Sequence, residues 1–168
     1  MNPTVFWRHS FGCALACREF AERIGYHDPD KAYLAGLLHD LGIVVNSLAY
    51  AEEYRAALAS AMQSGRPLVE QEKETLGFTH SESGVILANS WQLPTEIAEA
   101  IEWHHAIEGE PSGNPLIAIT HLGDLLCRVR NLGYGYEEWR AIVARFTMDL
   151  DAYVVRITEL VDSISSPN

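Results

Sequence analysis

The sequence predicts an all-α protein that folds as a single bundle of helices. Apolar residues recur at helical spacing along most of the chain, and caps and helix breakers separate the apolar runs. No stretch alternates apolar and polar residues as a half-buried β-strand would. Because 168 residues are enough to bury one sizeable core, we expect residues 1–168 to form one helical domain.

Glycine, proline and capping residues place the helices of the N-terminal half. Gly25 is suited to end the first helix, and the cap-and-proline pair Asp28-Pro29 to begin the second. Gly42 is expected to break this second helix, and Gly77 to close the fifth. The predicted helices of this half cover residues 4–24, 28–40, 43–49, 52–63 and 68–76.

The C-terminal half continues the helical pattern. Thr79 and Glu82 form a predicted capping box, which places His80 in the first turn of the next helix. Asn114-Pro115 begins the helix that carries Asp124. The predicted helices cover residues 80–92, 95–105 and 115–133, with a polar loop over 106–113 and additional C-terminal helices within 134–165, around 136–146 and 149–164.

Composition excludes several classes of protein. The formal net charge of −11 opposes binding to a nucleic-acid scaffold, because phosphate backbones bind basic surfaces. Three cysteines form no disulfide framework, which indicates a reducing compartment, and we expect the cytoplasm. No signal peptide is visible, and no apolar run is expected to approach the length of a membrane span, so no membrane partner is predicted.

Histidine and aspartate residues recur in an ordered series along the predicted helices. Five of the seven histidines belong to it, and each single residue or adjacent pair falls in a different helical stretch. These side chains are ligands of divalent iron, manganese, zinc and cobalt, so the series predicts a metal centre with two ions where several helices converge. The predicted metal ligands are His9, His39, Asp40, His80, His104, His105 and Asp124.

His39 and Asp40 can both bind one cation, or Asp40 can bridge two. His39 and Asp40 are neighbours about 100° apart around a helix axis, so both reach one cation only near a helix end. A carboxylate shared by two cations can hold them roughly 3.5–4 Å apart with an activated water between them, and such a water can attack phosphorus. His39 and Asp40 are therefore the predicted catalytic residues.

Each of these signals has a second interpretation when it is taken alone. His9 on an apolar helix face is more often a satisfied core histidine, and Asp124 is more often a salt-bridge or cap partner. His104-His105 are also typical of a helix C-terminus, where the helix dipole favours histidine. The joint pattern favours metal ligation over these alternatives.

Weaker signals accompany the series. Cys13 and Cys17 follow His9 at steps of four residues, which is consistent with thiolate ligation or redox sensing, but a buried apolar stripe is the favoured interpretation. His121 is predicted either to orient a metal ligand or to be an ordinary core or surface histidine. The acidic segment 70–74 is predicted to be a solvated helix face.

Four segments resemble the HD superfamily of metal-dependent phosphohydrolases. YLAGLLHDLG at residues 33–42 resembles the defining helix of that family, FWRHSFGCALACREFAERIG the helix that donates the first histidine, and HLGDLL the helix that carries the last aspartate. The run LGFTHSESGVILANSWQLPTEIAEAIEWHH is most similar to the HDOD branch, the HD-related output domains of bacterial signalling proteins. The resemblance extends over residues 6–127.

The resemblance implies a multi-helix HD-domain bundle with two metal positions. Asp40 would bridge them, and His80 with one or both of His104 and His105 would complete the second. The implied cofactor is a pair of divalent ions, iron or manganese first, with zinc, cobalt, nickel or magnesium as alternatives. The core ligands that it implies are His9, His39, Asp40 and Asp124.

The chain departs from catalytic members of the family in three places. Ile43 occupies the lysine position of the usual HD-x-G-K pattern, and isoleucine cannot contact phosphate as lysine does. The GYP loop of cyclic-di-GMP phosphodiesterases is reduced to Gly113 and Pro115. The region that usually precedes the HD helix in HDOD proteins is missing, which indicates a truncated output domain or a stand-alone short form.

Two functions are consistent with these residues. The first is hydrolysis of a phosphate ester or phosphoanhydride in bacterial signal transduction, with a nucleotide or cyclic nucleotide as the small-molecule partner. The second is a non-catalytic HDOD signalling module that keeps the fold, with or without metals, and works through a partner protein. The retained ligand series favours the first function, and Ile43 favours the second.

Overall fold

A computed structural model of the protein describes residues 3–106, 109 and 111–129. The described residues form helices and no β-strand, and the predicted all-α class is confirmed. The helices predicted within 134–165, and the predicted helix end near Gly133, lie outside the described residues. In chain order the helices are α1 (Pro3–Ile24), α2 (Pro29–Leu38), α3 (Leu41–Ala49), α4 (Ala51–Ser64), α5 (Leu68–Leu76), α6 (His80–Ser90), α7 (Thr95–Trp103) and α8 (Pro115–Val129).

Local caps begin and end the helices where the sequence predicts them. Gly25 follows α1 with a φ of +72°, a conformation that glycine adopts at little cost. At the start of α2, the Lys31 backbone N–H donates to the Asp28 side chain over 3.0 Å. At the start of α6, Thr79 and Glu82 form the predicted capping box, in which each side chain accepts from the backbone N–H of the other.

The prediction that Gly42 breaks the second helix is wrong. That helix ends at Leu38, the chain turns at His39-Asp40, and Gly42 lies buried inside α3. Glycine is required there because a Cβ on residue 42 would overlap the backbone carbonyl of His80 on α6. The residue therefore permits a close approach of two helices, and the turn before it leaves His39 and Asp40 only 0% and 5% exposed.

Small residues let α1, α2 and α8 pack closely. Gly36 on α2 and Gly123 on α8 both face the sulfur of Cys17 on α1, at positions where a Cβ would be crowded. Cys17 belongs to the apolar core, which continues into α7 through Ile97 and Ile101. The helices that carry His9 and Asp124 are thereby held beside α2, which directly precedes His39 and Asp40.

One stretch of the described residues, Pro29–Ala49, is long and apolar enough to cross a membrane by length and composition, with a mean hydropathy of 1.3. The expectation that no apolar run approaches that length is wrong on this criterion. Core helices meet the same criterion, and this stretch is divided at the His39-Asp40 turn, with 39% of it buried inside the protein. In this fold the stretch forms the core helices α2 and α3.

We expect Gly42→Ala to lower the free energy of unfolding by about 3 kcal/mol, because the added methyl group forces α3 and α6 apart. The sign is informative, since alanine ordinarily stabilises a helix interior by about 0.5–1 kcal/mol relative to glycine. Urea titration of the free energy of unfolding measures the change.

Gly65→Ala is the matched control. Gly65 has a φ of +65° and no atom within 4 Å of the added Cβ, so only backbone strain of about 1 kcal/mol is expected. A Gly42→Ala protein that is as stable as the wild type would contradict the close packing of α3 against α6.

Candidate metal centre

The helices bring the seven predicted site residues together in two adjoining groups. In each group the nitrogen, oxygen and sulfur atoms suited to bind a metal lie within 4.8 Å of one another. The residues come from α1 (His9), the α2–α3 turn (His39, Asp40), the start of α6 (His80), the positions directly after α7 (His104, His105) and α8 (Asp124). The first group is His9, Cys13, His39 and Asp124, and the second group is Asp40, His80, His104 and His105.

The first group has nearly the spacing of ligands around one ion. His9 Nε2 lies 3.3 Å from His39 Nε2 and 3.1 Å from Asp124 Oδ1. Cys13 Sγ lies 3.4 Å from His9 Nε2. Tetrahedral bonds of about 2.0–2.3 Å place neighbouring ligand atoms about 3.3–3.8 Å apart, so these separations suit a shared cation.

The Asp40 carboxylate lies between the two groups. Its Oδ2 is 3.3 Å from His39 Nε2 and 3.5 Å from His9 Nε2. Its Oδ1 is 3.3 Å from His80 Nε2 and 3.6 Å from His104 Nε2. One oxygen faces each group, which is the arrangement of a carboxylate that bridges two cations.

Two buried atoms of the second group, Asp40 Oδ1 and His104 Nε2, make no hydrogen bond of good geometry among the described residues, although Asp40 Oδ1 lies within ion-pair distance of His80 Nε2. A buried polar atom without a partner costs about 1–3 kcal/mol, and native proteins nearly always pair such atoms. The two atoms are 3.6 Å apart, too far for a hydrogen bond and close to the spacing of two ligands on one ion. A cation between them would satisfy both.

The donor set narrows the kind of cation that fits. Imidazole nitrogens and carboxylate oxygens together suit iron, manganese, zinc or cobalt. Magnesium prefers oxygen ligands and retains several waters, so it matches this imidazole-rich set less well. The residues therefore fit divalent transition-metal ions, in one or both groups.

Backbone carbonyls orient two of the imidazoles. His39 Nδ1 lies 2.8 Å from the Gly36 carbonyl oxygen, and His104 Nδ1 lies 2.8 Å from that of Ile101. Both histidines directly follow a helix, where the last carbonyls lack an intrahelical partner. In the neutral imidazole each bond holds the proton on Nδ1, so the Nε2 lone pair is directed into the centre.

A buried carboxylate, Glu72, orients His80. Its Oε2 accepts from His80 twice, from Nδ1–H over 2.8 Å and from the backbone N–H over 2.9 Å. The hydroxyl of Tyr54 donates to Glu72 Oε1 over 2.6 Å. Glu72 is 0% exposed, so these bonds compensate the burial of its charge and fix the His80 ring.

The prediction that segment 70–74 is a solvated helix face is wrong at Glu72. Glu70 and Glu74 are exposed and pair with Arg66, as a solvated face would. Glu72 instead lies on the inward face of α5. The available signal was the apolar pair Leu68 and Leu76, one helical turn to either side of it.

Two further side chains support the centre. His121 Nδ1–H donates to the backbone carbonyl of His104 over 2.6 Å, so it contacts a predicted ligand without being one. Arg128 Nε donates to Asp124 Oδ1 over 2.6 Å, and Arg128 Nη2 lies 3.4 Å from His105 Nε2. Sequence reasoning missed Arg128, although its spacing of four residues from Asp124 is that of a helical ion pair.

Burial and the neighbouring charges set the protonation of the histidines. Burial disfavours a charged His39, but Asp40 and Asp124 outweigh it and raise its pKa to about 10. Burial is likewise outweighed at His80, where Glu72 and Asp40 raise the pKa to about 9. Burial lowers the pKa of His104 to about 4.

The two carboxylates are ionised in this setting. Burial alone would raise their pKa values, but His39 holds the pKa of Asp40, and Arg128 that of Asp124, well below the ordinary range. Metal ligation requires neutral imidazoles, so a cation that binds here displaces the protons of His39 and His80.

We expect Glu72→Gln to lower the free energy of unfolding by about 2–3 kcal/mol, because it weakens charge-assisted bonds to His80 that are buried. Glu70→Gln, two residues away, removes an exposed ion pair with Arg66 and should cost less than about 1 kcal/mol. Denaturant titration compares the two variants. Equal losses would contradict the anchoring role of Glu72.

Three solved structures share the fold. The chain is 27% identical to an HDOD domain protein of unknown function from Geobacter sulfurreducens, with a TM-score of 0.77, over 98% of this chain and 63% of that one. A proposed signal transduction protein from Marinobacter aquaeolei VT8 is 25% identical, with a TM-score of 0.71, over 95% of this chain and 37% of that one. A proposed phosphohydrolase from Shewanella amazonensis SB2B is 23% identical, with a TM-score of 0.69, over 98% and 61%, and at that identity the likeness shows the fold alone.

The chain spans less than two thirds of the length of each of these proteins. Its own sequence matches the family model of the HDOD domain over residues 1–107, which include every predicted site residue except Asp124. The chain therefore belongs to the HDOD family.

Proposed function

We propose that this HDOD protein is a metal-dependent phosphohydrolase of bacterial signal transduction, which acts on a phosphate ester or phosphoanhydride. The observation that carries the proposal is the Asp40 carboxylate, with one oxygen toward each of two imidazole groups. Asp40 Oδ1 and the neighbouring His104 Nε2 are two buried acceptors without a well-formed hydrogen bond, and a bound cation would satisfy both.

In the proposed centre, His9, His39 and Asp124 would hold one cation, and His80, His104 and His105 would hold a second. Asp40, with one oxygen toward each group, would be a ligand available to both. When bound, such ions polarise phosphate oxygens and activate a water. The nucleotide or cyclic-nucleotide class of substrate rests on the resemblance to HD-superfamily enzymes.

Neighbouring residues would hold the ligand imidazoles in position. Gly36 and Ile101 hold the rings of His39 and His104 through their carbonyls, and Glu72 holds that of His80. This support keeps the ligands in place without further ordering, which is the requirement for a preorganised site. Proper ligand geometry therefore depends on residues that do not themselves touch a cation.

Arg128 would supply the positive charge that a lysine at position 43 provides in catalytic members of the family. Ile43 is half-buried and cannot neutralise a phosphate. The Arg128 guanidinium lies against Asp124 of the first group and near His105 of the second, so it is beside both proposed cation positions. Guanidinium groups bind phosphate oxygens in a bidentate manner.

The second candidate is a non-catalytic signalling module. Ile43 favours it, because a hydrocarbon side chain occupies the lysine position next to the catalytic pair. The similarity to a proposed signal transduction protein from Marinobacter aquaeolei VT8 is in line with it. In this function the centre would hold the helices in one arrangement, and a partner protein would bind the surface that this arrangement forms.

We expect a strong chelator to lower the Tm of metal-loaded protein by about 5–10 °C. Metal at 100 times its Kd stabilises the folded state by about 2.7 kcal/mol, and each kcal/mol shifts the Tm of a domain of this size by about 2–4 °C. Calorimetry with and without chelator measures the shift, and an unchanged Tm would contradict metal binding.

Asp40→Asn should lower the bound metal far more than His121→Asn. Asp40 faces both groups, whereas His121 belongs to neither group and donates to the backbone carbonyl of His104. Elemental analysis of anaerobically purified protein measures metal per chain. Equal metal content in the two variants would sink these role assignments.

Manganese- or iron-loaded protein is expected to hydrolyse at least one member of a panel of phosphodiesters and nucleotides. Asp40→Ala should reduce the rate to background, and Ile43→Lys should increase it by adding a cation beside the site. Glu70→Gln, an exposed change on α5, is the control for handling effects. If metal-replete protein is inert on the panel but binds a partner protein only with metal present, the signalling module replaces the hydrolase.

A further inference from the structure

Cys13 is buried within the first group and lies outside the apolar cluster that contains Cys17. It is one helical turn after His9 on α1, so both side chains project from the same face. Its Sγ is 3.4 Å from His9 Nε2, and it lies within 4.8 Å of the ligand atoms of His39 and Asp124. Its exposure is 0%.

The neighbouring cysteines have different surroundings. Cys17, one turn further along α1, donates its S–H to the Ile119 carbonyl over 3.6 Å and belongs to the apolar core cluster, which does not include Cys13. Cys127 on α8 is buried as well and is one of the neighbours that raise the pKa of the Cys13 thiol. Both cysteines are buried, as the interpretation of a buried apolar stripe expects, but the sulfur of Cys13 also lies beside imidazole and carboxylate groups.

We propose that Cys13 is a thiolate ligand of the first metal position, which makes that position selective for zinc, cobalt or iron over magnesium and calcium. This rests on the proposed metal centre. The imidazoles of His9 and His39, the nearby carboxylates and the Cys13 thiolate would together offer nitrogen, oxygen and sulfur donors, and zinc in proteins binds all three. Thiolates favour such borderline metals over the hard cations that oxygen ligands bind.

Binding of a metal ion to Cys13 releases one proton from its thiol. Burial keeps the free thiol of Cys13 protonated, and a metal ion that coordinates sulfur takes the thiolate, so the proton leaves to solvent. The neighbouring Cys127 would then be the nearest thiol able to donate to the Cys13 thiolate. Such outer contacts fix and tune a metal ligand.

Cobalt substitution tests the assignment on the full chain. Cobalt-loaded wild-type protein should show a near-ultraviolet thiolate-to-cobalt charge-transfer band, in addition to its weaker visible bands. Cys13→Ser should lose the band while still binding cobalt, and Cys17→Ser should retain it. The Kd for zinc should rise roughly 100-fold in Cys13→Ser, while the Kd for manganese should change by less than about 10-fold.

Other outcomes overturn the assignment. Bound cobalt with visible bands but no charge-transfer band in the wild type shows a centre without sulfur, and the metal centre would then stand without Cys13. A band that persists in Cys13→Ser but disappears in Cys127→Ser assigns the thiolate to Cys127. Failure of the wild type to bind cobalt or zinc at all removes the metal centre itself.

X-ray absorption on zinc-loaded wild-type protein measures the distances from zinc to its ligand atoms and requires no variant. A sulfur neighbour at about 2.3 Å is expected, distinct from nitrogen and oxygen at about 2.0–2.2 Å. A zinc shell of nitrogen and oxygen only would reject the inference even if Cys13→Ser does not fold.

Discussion

A buried carboxylate at the turn between α2 and α3 is the constraint on which the rest of the centre depends. Asp40 is only 5% exposed, and a buried charge is costly unless partners surround it. Its oxygens lie near imidazoles from α1, from its own turn, from the start of α6 and from the end of α7. Elements far apart in sequence therefore have to meet at one side chain.

Close helix packing makes that meeting geometrically feasible. Gly42 lets α3 approach the first turn of α6, which is the turn that carries His80. Gly84 faces Ile101 of α7 in the same way, so α7 also lies near enough for His104 to reach the centre. The glycines act on the site only through the distances between backbones.

Pairs of opposite charges also hold the side chains of the centre in place. Asp40, Asp124 and Glu72 carry negative charge beside positively charged or cation-binding groups, and Arg128 balances one of them directly. Both candidate functions use this arrangement. The two functions differ in whether a phosphate group binds beside the centre. For such a phosphate Arg128 is a positively charged side chain, whereas Ile43 is uncharged.

The sequence by itself determined the helical class, the caps at Gly25, Asp28 and Thr79, and the residue types of the centre, because those signals are local and depend on spacing along one helix. Only the tertiary structure decided that the oxygens of Asp40 are shared between two groups and that Glu72 faces inward. The same is true of Gly42, whose role is an interhelical contact. These features depend on contacts between helices distant in the chain, and no local pattern specifies how such helices pack.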